Sequence, residues 1–245
     1  MINRFLTAGI TLSGASADDN IIEGNFIGTN AGGTTDLGNA ESGIAVNGAS
    51  NNLIGGSQPS ARNLIAGNGT AGVLIFSTVV GVTASANIVE GNYIGTDATG
   101  TAALGNAEDG VLISINTSDN FVGGAAAGAG NLISGNVRNG VYITDLGGGS
   151  SGGSNRVQGN LIGTDAAGAA ALGNVENGIF IENRLDNTIG GTVAGAGNVI
   201  SANGLANSLT SSNGILIMGE RSQSAVLIQR IQVTFSRSLT ASSST

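Results

Sequence analysis

The chain has 245 residues, a formal net charge of −8, 43 glycines, one proline and neither cysteine nor histidine. The acidic balance makes nucleic acid and anionic membranes unsuitable partners for the surface as a whole, and no apolar run reaches the ~18 residues of a membrane span. Without histidine, Ser-His-Asp and Cys-His nucleophiles and histidine-based zinc sites are excluded.

The first residues fit two interpretations. Residues 1–17 have the order of a short signal peptide, with Arg4, an apolar stretch and an Ala-Ser-Ala cleavage motif. Residues 9–16 also align with residues 43–50, and the similarity continues into the motif that follows. We therefore interpret this segment as a repeat unit, which would make the chain begin inside a repeat array, as though part of a longer protein.

One ten-residue motif recurs along the chain. It reads NIIEGNFIGT from Asn20, NIVEGNYIGT from Asn87 and NRVQGNLIGT from Asn155. Its Ile-Gly-Thr element begins at residues 27, 94 and 162, which are 67 and 68 residues apart. A self-similar period of this kind predicts a repeat architecture.

Each long repeat divides into two similar turns of three short segments. Segments of three or four residues with Ile/Val alternation, bounded by Gly and Asn, predict strands, and no stretch has helical spacing with a capping signal. The expected fold is therefore all-β, a right-handed parallel β-helix of about seven turns with three short parallel sheets. The turns would begin at Gly9, Gly43, Gly72, Gly110, Gly140, Gly178 and Gly214.

The corners of this β-helix would be made by Asn and Gly. Both residue types suit the left-handed backbone conformation, and Asn side chains at matching corners can stack and hydrogen-bond along the axis. Glycine-rich disorder is the alternative, but the ordered Ile/Val alternation argues against it.

The register breaks after Met218. We therefore divide the chain into β-helix repeats at residues 1–218 and an irregular segment at residues 219–245. Residues 231–235 alternate like an edge strand, and a tail follows them. Neither end carries a capping helix in the sequence pattern, so both open edges favour association.

An apolar stripe is predicted on the outer face of the first strand of each turn. In the pattern Gly-[Ile/Val]-x-[Ile/Val], the branched residues point inward and x points outward. The ligand-binding candidates on this stripe are Leu74, Phe76, Leu112, Tyr142, Thr144 and Phe180. Such a stripe requires a sugar ring, a covering loop or another copy of the chain, and these alternatives stay open.

Charged residues lie beside the stripe. Asp145 and Glu182 would be one turn apart, with Arg184 two positions further on. Paired carboxylates could perform acid–base catalysis on a glycosidic bond, and an Arg could bind an acidic sugar. A solvated surface ion pair is the simpler interpretation.

Acidic residues also recur in the corner loops. They are Glu41, Glu108 and Glu176, together with Asp97 and Asp165. Their recurrence favours turn chemistry, and calcium bound between the loops is the alternative. No cofactor or resident metal is otherwise expected.

The repeat resembles the parallel β-helix proteins of the pectate-lyase-like superfamily, and in particular bacterial surface and exported proteins with Asn-Ile-x-x-Gly-Asn, Ile-Gly-Thr-Asp and Leu-Gly-Asn repeats. The resemblance covers about residues 9–218. It implies an extracellular or cell-surface location and substrate clefts along one sheet, in a superfamily that contains lyases, hydrolases, epimerases and non-enzymatic adhesins.

Family catalytic motifs are largely missing from the sequence. The Gly-His-Gly of polygalacturonases is excluded by the absence of His, and the only proline, Pro59, is not in an Asp-Pro-His-Glu motif. We therefore expect a module that binds carbohydrate or packs against other copies. The alternative is a polysaccharide lyase or glycoside hydrolase that acts on an acidic polysaccharide through Asp145, Glu182 and Arg184. An ice-binding face would need a flat Thr ladder, and Thr recurs only every second turn.

Overall fold

The computed structural model describes residues 1–79, 81–145, 153–204 and 212–219. These residues form an all-β parallel solenoid with the general form of the predicted right-handed β-helix, and no helix occurs among them. The edge strand predicted at residues 231–235 and the tail beyond it lie outside the described residues.

Three parallel sheets run along the solenoid, and each turn contributes one strand to each sheet. The first sheet consists of Ile10–Ser13, Ile44–Asn47, Val73–Phe76, Val111–Ile113, Val141–Thr144, Ile179–Glu182 and Ile215–Met218. The second sheet consists of Ile21–Ile22, Leu53–Gly55, Ile88–Glu90, Phe121–Gly123, Arg156–Gln158 and Thr188–Ile189. The third sheet consists of Phe26–Ile27, Leu64–Ile65, Tyr93–Ile94, Leu132–Ile133, Leu161–Ile162 and Val199–Ile200.

A two-stranded sheet of Ala84–Ser85 and Thr117–Ser118 forms a corner between the first and second sheets. The described residues thus complete six turns, and the seventh predicted start, Gly214, leads only into a strand of the first sheet. At the other end, Ile10–Ser13 pairs in parallel with Ile44–Asn47, as the repeat alignment predicts.

The core is a column of branched aliphatic side chains inside the coil. Ile44, Val73, Val111 and Val141 are register partners on one wall, and none of them is exposed. The inward positions of the other two sheets are filled in the same way. The predicted alternation of inward and outward residues in the first sheet is therefore confirmed.

Asparagine ladders hold the corners together. In each ladder, the backbone N–H and the Nδ2 of one Asn both donate to the Oδ1 of the Asn in the next turn, at 2.8–3.4 Å. The first ladder contains Asn20, Asn52, Asn87, Asn120, Asn155 and Asn187, the second Asn25, Asn63, Asn92, Asn131, Asn160 and Asn198, and the third Asn39, Asn68, Asn106, Asn136, Asn174 and Asn203. The predicted stacking of Asn along the axis is confirmed.

The left-handed corner residues are not these ladder asparagines. In the first ladder, the residue immediately before each Asn has the positive φ, at Asp19, Asn51, Ala86, Asp119, Ser154 and Asp186. The expectation that the corner Asn itself is left-handed is therefore wrong for the ladder residues. Each ladder Asn contributes its side-chain amide, and in the first ladder the preceding residue makes the bend.

Loops project from alternate turns at two corners. Hairpin loops follow the third sheet in the first, third and fifth turns, closed by the bridges Thr29↔Asp36, Thr96↔Ala103 and Thr164↔Ala171. In the second, fourth and sixth turns, a loop instead joins the second sheet to the third. The hairpins lie over the outer face of the third sheet, where an added Cβ at Gly33 or Gly100 would touch Leu64 or Leu132. These two leucines point outward, yet each is only 2% exposed.

Candidate functional site

The candidate site is the outer face of the first sheet. Its central column places Leu74, Leu112, Tyr142, Phe180 and Leu216 in register on successive strands. All of them are half-buried except Tyr142, which is 7% exposed and lies outside the aliphatic core cluster. The face is therefore a continuous apolar strip that is partly accessible to solvent.

Tyr142 and Phe180 form the aromatic centre of this strip. Their rings are stacked, with centroids 4.8 Å apart and planes 2° from parallel. The Tyr142 hydroxyl donates a short hydrogen bond to Glu182 Oε2, and the Thr144 hydroxyl lies 3.4 Å from the same oxygen. Burial, followed by the hydrogen bond to Glu182, raises the pKa of Tyr142 to about 12. The phenol is therefore a neutral donor that holds one oxygen of Glu182 on the strip.

Arg184 lies in the corner after the strand that carries Phe180, and it is 2% exposed. Its Nε donates to the carbonyl oxygen of Thr144 at 3.0 Å, and its two Nη atoms donate to those of Thr117 at 3.2 Å and Ser114 at 2.6 Å. Nη2 also lies 3.7 Å from Asp145 Oδ1. Burial lowers the pKa of Arg184, and the charge of Asp145 opposes that change. The guanidinium therefore joins its own turn to the two preceding turns by binding the backbone of both.

The three predicted catalytic residues fall into two groups. Asp145 lies against Arg184, and its Oδ1 is buried without a hydrogen bond. Glu182 instead bonds to Tyr142 and Thr144 on the outer face. Asp145 therefore contacts the guanidinium in the corner, whereas Glu182 contacts side chains of the strip.

The predicted ligand-binding residues are distributed unevenly in depth. Leu74, Leu112 and Phe180 are half-buried in the central column, and Phe76 is half-buried at the end of its strand. Thr144 is fully buried. The accessible part of the strip is therefore its central column together with Glu182, which is also half-buried.

A fourth ladder lies beside the strip, and the sequence interpretation missed it. Asn139 donates its N–H and its Nδ2 to Asp109 Oδ1 at 3.0 and 2.8 Å. Asn177 donates to Asn139 in the same way, and Asn213 to Asn177. The donors of this ladder point toward the N-terminal end, opposite to the other three. The available signal was the polar residue immediately before the glycine that begins each first-sheet strand.

Asp109 ends this ladder as an acceptor. It is not exposed, and its Oδ2 is buried without a hydrogen bond. Burial raises the pKa of Asp109, and the hydrogen bonds from Asn139 oppose the change. A carboxylate has no N–H to donate, so it fits only at the accepting end of a ladder. The residue of the preceding turn at this position is Ala71, which offers no polar side chain.

Two of the acidic residues of the corner loops, Asp97 and Asp165, stabilise the turns in which they lie. Asp97 Oδ1 accepts the backbone N–H groups of residues 101 and 102 at 3.0 and 3.2 Å. Asp165 Oδ1 accepts those of residues 169 and 170 at 2.8 and 3.1 Å, and these bonds lower the pKa of Asp165. Glu176 forms a surface ion pair with Arg138 at 3.8 Å. Within the described residues, no group of three or more acidic side chains is arranged to hold a metal ion.

No helix in the described part of the chain is long and apolar enough to span a bilayer. Comparison with protein-family models, with curated proteins and with solved structures gives no match.

Proposed function

We propose that the chain is an exported or cell-surface β-helix module that binds carbohydrate on the outer face of its first sheet. The stacked Tyr142–Phe180 pair carries this proposal, because it lies in an apolar strip with an immobilised carboxylate beside it. Sugar rings contact aromatic and aliphatic side chains through their C–H groups, while a carboxylate accepts their hydroxyl protons. The resemblance to pectate-lyase-like repeats supports the same use of one sheet.

The proposal is tested by direct binding measurements. The purified chain is titrated with soluble neutral and acidic polysaccharides, and heats of binding are recorded. Phe180→Ala should weaken binding about tenfold, which corresponds to ~1.4 kcal/mol. Phe121→Ala is the matched control, because Phe121 is also half-buried and belongs to the second sheet. Equal losses in the two variants, or no binding to any polysaccharide at millimolar sugar, would refute the proposal.

The alternative is a polysaccharide lyase or hydrolase that uses Asp145, Glu182 and Arg184. Its support is Glu182, a carboxylate held at a half-buried strip. It is weakened by the engagement of Arg184 with backbone carbonyls and by the burial of Asp145 Oδ1 beside Arg184. A screen for reducing sugar and for unsaturated products on acidic polysaccharides tests it. Turnover that disappears in Glu182→Gln would replace the binding proposal with this one.

Packing against other copies through the same strip is the remaining interpretation. If the strip is a lateral interface, Phe180→Ala should dissociate the assembly, and polysaccharide should not compete with it.

A further inference from the structure

The strip offers a hydrogen-bond acceptor to a ligand, whereas its own hydroxyl donors are already used. The hydroxyl groups of Tyr142 and Thr144 both bond to Oε2 of Glu182. The other oxygen of this carboxylate, Oε1, accepts no hydrogen bond from a described residue. Because an ionised carboxylate can only accept, Glu182 is suited to a ligand group that donates.

Negative charge surrounds the aromatic pair. Burial and the hydrogen bond to Glu182 raise the pKa of Tyr142, and the charges of Glu182 and Asp109 raise it further. Negative charges have this effect because they oppose the ionisation of the phenol. None of the described strands of the first sheet contains Arg, and the whole chain has no Lys. The strip therefore carries a carboxylate without a cation on its own strands.

Two Arg residues lie next to these strands in the sequence, and each is paired within the chain. Arg184 is 2% exposed, donates to backbone carbonyls in the corner and lies 3.7 Å from Asp145. Arg138 forms its ion pair with Glu176 at 3.8 Å. Both guanidinium charges are thus offset by carboxylates of the chain.

A row of mostly acidic residues runs along the edge of the first sheet where its strands begin. Backbone hydrogen bonds of 2.9–3.3 Å join its members on successive turns, which are Glu41, Thr70, Glu108, Arg138 and Glu176. Each of them lies two residues before the glycine that begins a turn. Three carboxylates against one guanidinium, in a chain of net charge −8, give this side of the molecule a negative potential. Such a potential attracts cationic ligands and repels polyanions.

We propose that the strip binds a glycan whose sugars carry protonated amino groups, with an ammonium group on Oε1 of Glu182 and a sugar ring on Phe180. An ammonium group offers three donors, and its charge-assisted hydrogen bonds are about twice as strong as neutral ones. The assignment rests on the proposed carbohydrate function and names the class of sugar. It departs from the acidic polysaccharide of the catalytic alternative, because a uronate would place a second carboxylate beside Glu182.

Three oligosaccharides of equal length test the charge of the ligand. They are a glucosamine oligomer, its fully N-acetylated counterpart and a galacturonate oligomer. In calorimetric titrations of the full chain, the glucosamine oligomer should bind about tenfold more tightly than the acetylated one, because its donors are charged. The galacturonate oligomer should bind most weakly. Added salt should reduce the difference between the first two oligomers, because salt screens exposed charges.

Glu182→Gln removes the charge and keeps an oxygen that can accept the Tyr142 hydroxyl. This variant should bind the glucosamine oligomer about tenfold more weakly and the acetylated oligomer within about twofold of the wild type. Glu90→Gln is the matched control, because Glu90 is also half-buried but belongs to the second sheet, and it should change neither affinity. Phe180→Ala should weaken the binding of both oligomers. Circular dichroism verifies that each variant is folded.

The outcomes separate this assignment from the proposed function. If the acetylated or the galacturonate oligomer binds as tightly as the glucosamine oligomer, the assignment is overturned and the proposed function stands. Equal losses in Glu182→Gln and Glu90→Gln also overturn it, because they would show that the acidic surface as a whole holds the cation. If none of the three oligomers binds, the proposed function fails with it.

Discussion

Asn92, a central residue of the second ladder, should contribute several kcal/mol to the free energy of unfolding. Its Oδ1 accepts the N–H and the Nδ2 of Asn63, at 3.1 and 3.0 Å. Its Nδ2 donates to Asn131 Oδ1 at 3.1 Å, to the carbonyl oxygen of Ile54 at 2.9 Å and to that of Glu90 at 3.0 Å. Asn92→Ala removes all of these bonds from a side chain that is not exposed.

The magnitude follows from the groups that keep no other partner. Asn63 Nδ2 still reaches the carbonyl oxygen of Ile22 at 2.7 Å, and Asn131 Oδ1 still accepts the backbone N–H of residue 92 at 3.0 Å. The N–H of Asn63 loses its side-chain partner, whereas the carbonyl of Ile54 loses one donor and stays paired in the parallel strand ladder. With about 1–3 kcal/mol for the N–H left unpaired and about 1 kcal/mol for the lost bond to Ile54, Asn92→Ala should cost about 2–4 kcal/mol. That is a large fraction of the ~5–15 kcal/mol by which domains are stable.

Urea unfolding monitored by far-UV circular dichroism measures the loss, with the slope on denaturant expected to stay unchanged. Asn25→Ala is the control, because Asn25 begins the same ladder, is only partly buried and accepts no amide from a preceding turn within the described residues. It should cost less than about 1 kcal/mol. If the two substitutions cost the same, the buried ladder does not stabilise the corners as argued.

Burial raises the pKa of Asp109, so its contribution to stability is complete below the ordinary carboxyl pKa and is lost as the pH rises through the raised value. The melting temperature of Asp109→Asn should therefore exceed that of the wild type near neutral pH, and the difference should shrink toward about pH 4. A difference in melting temperature that does not depend on pH would contradict this. Gly95→Ala should lower the free energy of unfolding in urea by more than about 2 kcal/mol, because φ is 87° and the added Cβ would overlap the carbonyl oxygen of Ser134. Gly197→Ala is the control: an added Cβ there meets open space, so it should cost less than about 0.5 kcal/mol. Arg184→Lys should cost about 2–3 kcal/mol in the same assay, because one ammonium cannot reach three separate carbonyls, and full stability would show that the guanidinium is dispensable.

The inward-facing residues of the strands could be predicted because strand alternation depends only on neighbouring positions in the sequence. A strand buried on one side shows every second residue to the core, so Val73 and Val111 could be placed inward from alternation alone. The stacking of asparagines followed from their recurrence. The fourth ladder did not, because its members are Asp109 and three asparagines that follow positions occupied by Ser42 and Ala71. A column that changes residue type along its length does not appear as a repeat.

The candidate site was predictable only as far as its strands extend. Tyr142 and Phe180 were placed on one face because both lie inside strands, where alternation holds. The strand that carries Phe180 ends at Glu182, and the next residue, Asn183, has a φ of 53°. Beyond such a bend, counting by two no longer gives the direction of a side chain. That is why Arg184 was expected beside the carboxylates at the surface and instead reaches backbone carbonyls in the corner.

The long period of 67 or 68 residues has a physical origin in the hairpin loops. A hairpin contains two hydrogen-bonded strands, and two strands occupy about 9.6 Å along the axis at ~4.8 Å each. One turn of the solenoid advances by only ~4.8 Å along the axis. Hairpins on successive turns would therefore collide, whereas hairpins on alternate turns fit. The N–H of Ala98 donates to the carbonyl of Gly33, and that of Ala166 to the carbonyl of Gly100, both at 2.9 Å, so hairpins two turns apart are in direct contact. Each hairpin then covers the third-sheet strand of its own turn and that of the next. The sequence therefore repeats every two turns, although the strands repeat every turn.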